Sequence, residues 1–366
     1  MRPVRASLVT SERPLAKAYD VALLDLDGVV YIGSHAVDGA PEALAAARAA
    51  GMRLAFVTNN AARTPEVVAE HLTELGIDAD AGEVVTSAQA AAHYLADRLP
   101  TGAKVLVVGT TGLEHALRER DLVPVAEAVD DLAAVVQGYS PDLNWRQLAE
   151  GAVAINRGLP WIATNLDPTV PSPRGRLPGN GSLVAALRHA TGAEPVATGK
   201  PDPTMHRESV QRSGATDPIV VGDRLDTDIE GANAVGCASL LVLTGVTSPA
   251  ELLAASPERR PNFIAADLTG LLESHDAPRS TDGGVVCGRW RVSTDPGRLV
   301  LRLADEAESE QPADDDLAAL RALCVAAWSA EFDGSDQVAA DGDDPRRRQA
   351  AEEVLNRLGL RGENPG

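Results

Sequence analysis

Near its N-terminus the chain alternates aliphatic runs with amphipathic segments. The stretches "VALLDL", "MRLAFVTNN" and "EVVTS" contain short, continuous aliphatic runs, which are typical of strands buried on both faces. Between them, "APEALAAARAAG" and "RTPEVVAEHLTELG" predict two helices, because each has a proline near its start and a glycine at its end. Thr64 is the expected N-cap of the second helix. Strands separated by helices of this length predict an α/β fold with a doubly wound parallel sheet.

The same alternation returns later, in "DPIVVGD", "TDIEGANAVG", "ASLLVLTG" and "PAELLAA". The residues between the two halves contain strands of their own, "AKVLVVGT", "AAVVQGYS" and "PWIATN". This middle segment is long enough to form a separate α/β domain inserted into the first. We therefore predict a Rossmann-like core of residues 19–88 and 191–278, with an inserted domain of residues 89–190. Residues 1–18 are expected to be a loosely ordered leader.

Residues 281–366 have a different pattern and predict a small α+β module. Here "VVCGRWRV" and "RLVLRL" indicate a pair of strands, and "DDLAALRALCVAAWSA" indicates a helix with acidic residues in its first turn. The stretch "DGSDQVAADGDDPRRR" is expected to be an exposed loop. Its spacing does not fit a calcium-binding loop, which needs D-x-[DN]-x-[DN]-G and a later glutamate.

Composition and charge limit the classes of partner. The 366 residues carry a net charge of −20, from 33 Lys+Arg against 53 Asp+Glu, and only 3% are aromatic. This balance argues against nucleic acids and anionic membranes as partners. An anionic small substrate stays open, because a metal ion and local cations can invert the field inside one cleft.

The cysteines and the apolar segments bear on the cellular compartment. Cys237, Cys287 and Cys324 are far apart in the sequence and form no CxxC pair, which fits a reducing compartment and offers no zinc cluster. The N-terminus has no uninterrupted apolar core of a signal peptide, and no long apolar span follows. We expect a soluble cytoplasmic protein.

Polar residues that could carry chemistry follow the predicted strands. In a doubly wound sheet, ligands bind outside the carboxyl ends of the strands. The residues at these ends, or in the loop "TGKPDP" before a later strand, are Asp25, Asp27, Thr58, Asn59, Lys200 and Asp223. Each alone is more often a solvated turn, a helix entry, an N-cap or a solvated lysine. Their shared place at one edge of the sheet predicts a phosphoryl-transfer site.

Each residue type suits a role in such a site. Asp25 can act as a nucleophile that forms an aspartyl-phosphate, and Asp27 can protonate the leaving oxygen and then deprotonate water. Asp25 and Asp223 offer carboxylate oxygens to Mg²⁺. Lys200 and the Thr58 hydroxyl can stabilise the transferring phosphoryl group.

Two further acids are candidates for the outer shell of the metal site. Asp226 and Asp228 both follow the strand that ends at Asp223. Asp228 is the better candidate, because it is expected to open a helix and to anchor a metal-bound water.

The motifs "DLDGVV", "FVTNN", "GKPDP" and "GDRLDTDI", in this order, resemble the four motifs of the haloacid dehalogenase (HAD) superfamily. Their wording and the long insertion resemble the NagD / phosphoglycolate phosphatase branch, whose members carry a C2 cap. The resemblance implies that Asp25 is the nucleophile and Asp27 the acid/base. It implies phosphate binding by Thr58, Asn59 and Lys200. It also implies metal binding by Asp25, Asp223 and the backbone carbonyl of Asp27. An acid at the second position favours hydrolysis or transfer of a phosphate ester over dehalogenation and ion pumping.

The resemblance makes the inserted domain a cap that closes over the site, excludes water and contacts the substrate. In "ATNLDPTVPSPRGRLPGNGS", the expected substrate contacts are Asn165, Asp167 and Arg174. "PGNGS" is better read as a turn and helix start than as a phosphate cradle. Tyr31 and His35 fall in the small flap of this family, and either a site role or ordinary flap surface is open. Caps of this type often contribute to homodimers.

The whole chain, with its extra tail, resembles the actinobacterial glycerol 3-phosphate phosphatases. Glycerol 3-phosphate is therefore the first expected substrate. The alternatives are 2-phosphoglycolate and other sugar or nucleotide phosphates. The tail resembles a truncated GNAT acetyltransferase but lacks the [RQ]-x-x-G-x-[GA] motif that receives acetyl-CoA, so a non-catalytic module is expected. A bifunctional protein with an acyltransferase tail and a binding protein with a degenerate core are the competing hypotheses.

Overall fold

A computed structural model describes residues 7–170, 175–295, 297–304, 316–330, 337–342 and 345–360. Within these residues, the first strands are β1 (Val21–Leu24), β2 (Tyr31–Ile32), β3 (His35–Ala36), β4 (Arg53–Thr58), β5 (Val84–Thr86), β6 (Lys104–Val108), β7 (Val123–Val125), β8 (Leu132–Gln137), β9 (Trp161–Ala163) and β10 (Thr169–Val170). The later strands are β11 (Leu177–Pro178), β12 (Val196–Ala197), β13 (Pro218–Gly222), β14 (Ala238–Val242), β15 (Phe263–Ala265), β16 (Arg279–Thr281), β17 (Gly284–Cys287), β18 (Trp290–Asp295), β19 (Arg298–Leu303) and β20 (Gln337–Ala340). The helices are α1 (Leu15–Ala18), α2 (Ala40–Ala49), α3 (Pro65–Glu74), α4 (Ser87–Ala96), α5 (Thr111–Arg118), α6 (Trp145–Asn156), α7 (Asn180–Thr191), α8 (Pro203–Ser213), α9 (Glu230–Val235), α10 (Pro249–Leu253), α11 (Asp316–Ser329) and α12 (Pro345–Arg357).

The chain divides into two compact units. The N-terminal unit contains residues 21–45 and 53–218, and the C-terminal unit contains residues 1–20, 46–52 and 219–366. In the N-terminal unit, β1 pairs with β4 and β4 pairs with β5, all in parallel. This register brings the carboxyl ends of β1 and β4 to the same edge, as the alternating pattern predicts.

The inserted segment forms its own parallel sheet, in the order β12-β9-β8-β6-β7. Two apolar clusters serve this sheet: one contains Leu95, Leu113 and Leu117, and the other contains Ile155 and Trp161. An α/β arrangement is therefore present, as predicted. Because β12 pairs with β9, the inserted sheet reaches Ala197, beyond the predicted boundary at residue 190.

A buried carboxylate ties α8 to α4 and to the inserted segment. Glu208, whose side chain is 3% exposed, lies 2.7 Å from His93 Nδ1 and 3.1 Å from Arg120 Nη2. Arg212, one helical turn away, lies at 3.8 Å. A buried acid is tolerated here because basic groups surround it.

We expect Glu208→Ala to lower the free energy of unfolding by about 1–3 kcal/mol, because its half-buried basic partners lose the buried carboxylate that they pair with. Urea unfolding followed by circular dichroism measures this loss. Glu74→Ala is the control: its side chain is 79% exposed beside His71, and we expect a change within about 0.5 kcal/mol. Similar small losses in both variants would contradict the role assigned to Glu208.

The C-terminal unit contains a second set of parallel strands, β13, β14 and β15. The N-terminal residues from Ser7 onwards are ordered against it, so the expectation of a loosely ordered leader is wrong for residues 7–18. Val9 N donates to Asn262 O at 3.0 Å, and Ser11 and His275 form an isolated antiparallel bridge. Leu15 is fully buried, which explains why this segment is held in place.

The C-terminal module forms a mixed sheet in the order β16-β17-β18-β19-β20, in which only β19 and β20 are parallel. Two predictions are corrected here. "VVCGRWRV" is not one strand, because the chain turns at Gly288, whose φ is 54°, and separates β17 from β18. The expected loop "DGSDQVAADGDDPRRR" contains β20 and the start of α12, because the short run "QVAA" pairs with β19.

The core of the C-terminal unit is continuous from the parallel strands into this module. One cluster of buried residues joins Leu241 and Ile264 to Trp290, Leu323 and Trp328. Trp328 Nε1 donates to Leu252 O at 3.0 Å, and Arg321 Nη2 donates to Ile264 O at 2.7 Å. Helix α11 is thus packed and hydrogen-bonded onto β15 and α10.

Two further predictions can be compared with the structure. Cys237, Cys287 and Cys324 are buried free thiols. In the part of the chain that the structure describes, no helix combines the length and the hydropathy needed to cross a membrane.

Candidate active site

Asp25 lies directly after β1 and faces a buried lysine. The Nζ of Lys200 donates to Asp25 Oδ1 and also to Val57 O, the latter at 3.3 Å. The Lys200 side chain is 3% exposed and that of Asp25 is 12% exposed. The loop "TGKPDP" therefore places its lysine against the predicted nucleophile, 175 positions away in the sequence.

Asp27 follows two residues later and has an altered acidity. Its side chain reaches solvent but is densely surrounded by protein atoms, and this burial raises the pKa of its carboxyl group. The positive charges of Lys200, Arg63 and His71 act in the opposite direction without cancelling the effect. A carboxyl with a raised pKa is better suited to donate a proton near neutral pH.

The two flap residues, Tyr31 and His35, differ in burial. Gly28 turns the chain with a φ of 88°, and its N–H donates to Tyr31 O at 2.8 Å. Tyr31 is buried, its ring meets His71 edge-on with the centroids 5.2 Å apart, and burial raises the pKa of its hydroxyl. His35 is exposed on the β2–β3 hairpin. Tyr31 is thus a packed neighbour of Asp27.

The end of β4 carries Thr58 and Asn59, the predicted phosphate ligands. Thr58 is buried, and its Oγ1 accepts from Asn60 N at 3.1 Å. Asn59 Oδ1 accepts from Lys200 N at 2.8 Å, and its Nδ2 donates to Lys200 O at 3.1 Å. Nδ2 also donates to Asp167 Oδ2 at 3.1 Å. The Asn59 side chain therefore holds the lysine loop.

Two residues of the inserted segment that were predicted to contact substrate, Asn165 and Asp167, lie against Asn59. Asn165 is buried, and its Nδ2 donates to Asn59 O at 2.7 Å. Its own carbonyl oxygen accepts from Asn180 Nδ2 at 2.8 Å. Arg174 lies outside the described residues. "PGNGS" forms a turn whose Gly179 is the N-cap of α7, as predicted.

In the C-terminal unit, Asp223 follows β13 and is fully buried. Val246 N donates to its Oδ2 at 2.7 Å, and Thr247 N donates to its backbone oxygen at 3.1 Å. A Cβ on Gly245 would lie 1.9 Å from Asp223 Oδ2, so only glycine fits beside this carboxylate. The loop after β14 therefore orients Asp223.

We expected Asp228 to open a helix, and this expectation is wrong. Asp228 lies inside a π-helical turn, Leu225–Ile229, that precedes α9, and its Oδ2 accepts from Arg224 N at 3.2 Å. A Cβ on Gly222 would come within 2.2 Å of Asp228 Cβ, so the glycine admits this buried acid. Asp226 is exposed to solvent and pairs with Arg224 at 2.9 Å. Asp228 is thus the better outer-shell candidate of the two.

Comparison with known proteins gives the family. Residues 22–123 match the haloacid dehalogenase-like hydrolase model, and residues 197–271 match a HAD-hydrolase-like model. The chain is 45% identical over 318 residues to the D-glycerol 3-phosphate phosphatase of Mycobacterium tuberculosis, covering 87% of this chain and 88% of that protein. The chain belongs to the haloacid dehalogenase-like hydrolases. The family predicted from its motifs is therefore confirmed.

Two further relatives of this HAD-like hydrolase match most of the chain or a part of it, and one family model matches its C-terminal tail. A crystal structure of glycerol phosphate phosphatase from M. tuberculosis in complex with magnesium has a TM-score of 0.84 and 42% identity, covering 95% of this chain and 99% of that one. The acid sugar phosphatase of Staphylococcus aureus is 38% identical over 63% of this chain and 89% of its own length. Residues 287–360 match a GCN5-related N-acetyltransferase-like domain.

Two residues of this hydrolase that act on Asp27 were missed in the sequence. Arg63 and His71 both contribute positive charge near the Asp27 carboxyl. Arg63 follows the "FVTNN" motif, so its place beyond the carboxyl end of β4 was an available signal. His71 lies on α3, and only its packing against Tyr31 reveals its relation to the site.

Proposed function

We propose that this HAD-like hydrolase is a phosphatase that acts on a small phosphorylated metabolite, with glycerol 3-phosphate as the first candidate. The contact between Lys200 and Asp25, at the carboxyl end of β1 and next to Asp27, carries this proposal. This contact brings a nucleophile and a cation together, and Asp27, an acid with a raised pKa, follows the nucleophile two residues later. The 45% identity to a D-glycerol 3-phosphate phosphatase supports the choice of substrate.

In the first step, a carboxylate oxygen of Asp25 attacks phosphorus, and the bond from phosphorus to the substrate oxygen breaks. Asp27 donates its proton to that leaving oxygen, which departs as an alcohol. In the second step, water attacks the phosphorus of the aspartyl-phosphate while Asp27 accepts a proton from it. Phosphate leaves, and the Asp25 carboxylate is restored. Lys200 and the Thr58 hydroxyl stabilise the charge on the transferring oxygens.

The donor set fits Mg²⁺, which prefers carboxylate and carbonyl oxygens. Asp25, the backbone oxygen of Asp27 and Asp223 would hold the ion, and Asp228 would orient a bound water. Asp223 is already oriented, because Val246 N donates to its Oδ2 at 2.7 Å. When bound, Mg²⁺ neutralises charge between the carboxylates and the phosphoryl oxygens.

The remaining assignments are proposals of the same kind. We infer two core segments, residues 19–88 and 191–278, a cap of residues 89–190, and a non-catalytic tail of residues 281–366. The pairing of β12 with β9 extends the sheet of the inserted segment beyond residue 190, to Ala197. The net charge of −20 disfavours nucleic acid and anionic membranes as partners. Separate buried thiols fit a cytoplasmic location. We also infer a homodimer formed through the cap.

We expect initial rates with Mg²⁺ to be highest for glycerol 3-phosphate in a panel of phosphorylated C2–C3 metabolites, sugar phosphates and nucleotides. Its kcat/KM should exceed that of 2-phosphoglycolate by about tenfold or more, a difference of about 1.4 kcal/mol in transition-state binding. Chelation should abolish turnover, and excess Mg²⁺ should restore it.

Each outcome of the panel bears on a different part of the proposal. Hydrolysis of none of these esters would overturn the phosphatase assignment and favour a binding protein. Full activity in the chelator would contradict the metal dependence. A preference for 2-phosphoglycolate or a hexose phosphate would replace the substrate and keep the reaction. Acetyl-CoA binding by the full chain would revive an acyltransferase role for the tail.

A further inference from the structure

The side chain of Asn59 forms a two-point contact with the backbone of Lys200. Its Oδ1 accepts from Lys200 N and its Nδ2 donates to Lys200 O, at 2.8 and 3.1 Å. An amide has one acceptor end and one donor end, so only one orientation of Asn59 satisfies both groups. This contact fixes the backbone from which the lysine side chain extends.

The loop before the lysine is pressed close against Asn59. A Cβ on Gly199 would lie 2.7 Å from Asn59 Oδ1 and 2.2 Å from Thr164 O. No side chain fits at this position without displacing the backbone of the inserted segment. The glycine of "TGKPDP" is therefore part of the same arrangement as the asparagine of "FVTNN".

The anchored backbone matters because a lysine side chain is flexible. Its four-carbon chain allows the ammonium group many positions, and only some of them reach a given oxygen. In this structure, Lys200 Nζ contacts Asp25 Oδ1 and Val57 O. Fixing the backbone of Lys200 reduces the number of positions available to its ammonium group, which then stays against the nucleophile.

Residues of the inserted segment hold Asn59 in turn. Asp167 Oδ2 accepts from Asn59 Nδ2 at 3.1 Å, and Asn165 Nδ2 donates to Asn59 O at 2.7 Å. Asp167 is itself positioned, because its N–H donates to Asn165 Oδ1 at 3.2 Å. The chain of contacts runs from Asp167 through Asn59 to Lys200 and ends at Asp25.

We propose that Asn59 is a positioning residue that acts through Lys200, and that Asp167 couples the placement of the inserted segment to it. This inference rests on the proposed phosphatase function. It changes the role of Asn59 from a side-chain phosphate ligand to a holder of the lysine loop. It also changes Asp167 from a substrate contact to a residue that orients Asn59.

A double-mutant cycle on vanadate affinity tests this inference without requiring turnover. Vanadate stands in for the pentacoordinate phosphorus of the transition state, and transition-state analogues report such interactions strongly. We expect Asn59→Leu, which keeps the size and loses the hydrogen bonds, to weaken vanadate binding about 10–100-fold by calorimetry with Mg²⁺. In a Lys200→Met background, the same substitution should change the affinity less than about threefold, because the two residues act as one unit. An equal loss in both backgrounds would show that Asn59 acts independently of Lys200 and would overturn the proposal.

The pair of variants at Asp167 provides a second test if Asn59→Leu does not fold. Asp167→Asn keeps an oxygen that accepts from Asn59 Nδ2, so we expect kcat close to that of the parent chain. Asp167→Ala loses the acceptor, and we expect kcat to fall about 3–10-fold while KM changes less than about twofold. Equal activity of both variants, or a loss confined to KM, would contradict the coupling.

The two proposals fail in different ways. A parent chain that neither binds vanadate nor hydrolyses any ester contradicts the phosphatase function. A parent chain that does both, with additive losses in the cycle, contradicts only the inference about Asn59.

Discussion

Asp25→Asn should abolish turnover, lowering kcat about 10⁴-fold or more, while the chain still folds. The carboxamide has the shape of the carboxylate, but its oxygen is a poor nucleophile and carries no charge. The contact with Lys200 persists as a hydrogen bond, and Lys200 Nζ keeps Val57 O as an acceptor. The measurements are kcat with glycerol 3-phosphate, the phosphorylated protein trapped by acid quench, and the unfolding midpoint.

Two variants separate the loss of the nucleophile from other effects. Asp27→Asn retains the nucleophile, so it should still form some phosphorylated protein from an aryl phosphate, whose leaving group needs little protonation. Asp130→Asn makes the same chemical change at an exposed residue and should leave kcat within about twofold. Turnover by Asp25→Asn within tenfold of the parent chain would exclude Asp25 as the nucleophile.

The placement of the core residues was predictable because it depends on local patterns. Each of Asp25, Thr58 and Asp223 directly follows an aliphatic run, and such a run in an α/β alternation ends at the edge where ligands bind. The strand register then brings Asp25 and Thr58 to one edge without any further information. The order of strands and helices in the sequence was therefore enough to predict that Asp25 and Thr58 lie at one edge.

The direction in which a side chain of the inserted segment points was not predictable from such patterns. Asn59 and Asp167 are 108 positions apart, and their contact depends on how the β9 end packs against the β4 end. The resemblance of this segment to the substrate-facing part of the family's caps favoured a substrate contact for Asp167. The partner that the acid meets instead is set by tertiary structure.

The elements that the sequence did not predict are those whose structure depends on pairing with distant residues and not on local composition. "QVAA" is short and surrounded by acidic residues, so nothing local marks it as a strand, and its pairing with β19 alone makes it β20. The leader was missed for the same reason. Its apolar residues are isolated in the sequence, and its backbone hydrogen-bonds to a segment about 250 positions later, through Leu15 N to Glu273 O and Ser11 N to His275 O.

The C-terminal module should unfold together with the parallel strands of its unit and not as a separate domain. Leu323, on α11, is fully buried in the cluster that also contains Leu241 and Ile264. Trp328 and Arg321 of the same helix hydrogen-bond to backbone oxygens outside the module. These contacts make one cooperative core, in which a defect at any point weakens the whole.

Leu323→Ala should therefore lower the free energy of unfolding by about 2–5 kcal/mol, through lost burial and the cavity that remains. Phosphatase activity should be lost in the same thermal transition as the module, at a lower temperature than in the parent chain, because Asp223 belongs to this unit. Val153→Ala, at a position 44% exposed on α6, is the control and should cost less than about 1 kcal/mol. Scanning calorimetry and residual activity after heating measure both effects. If the module melted in a separate transition, with the temperature of activity loss unchanged, α11 would be an appended domain and not part of the hydrolase core.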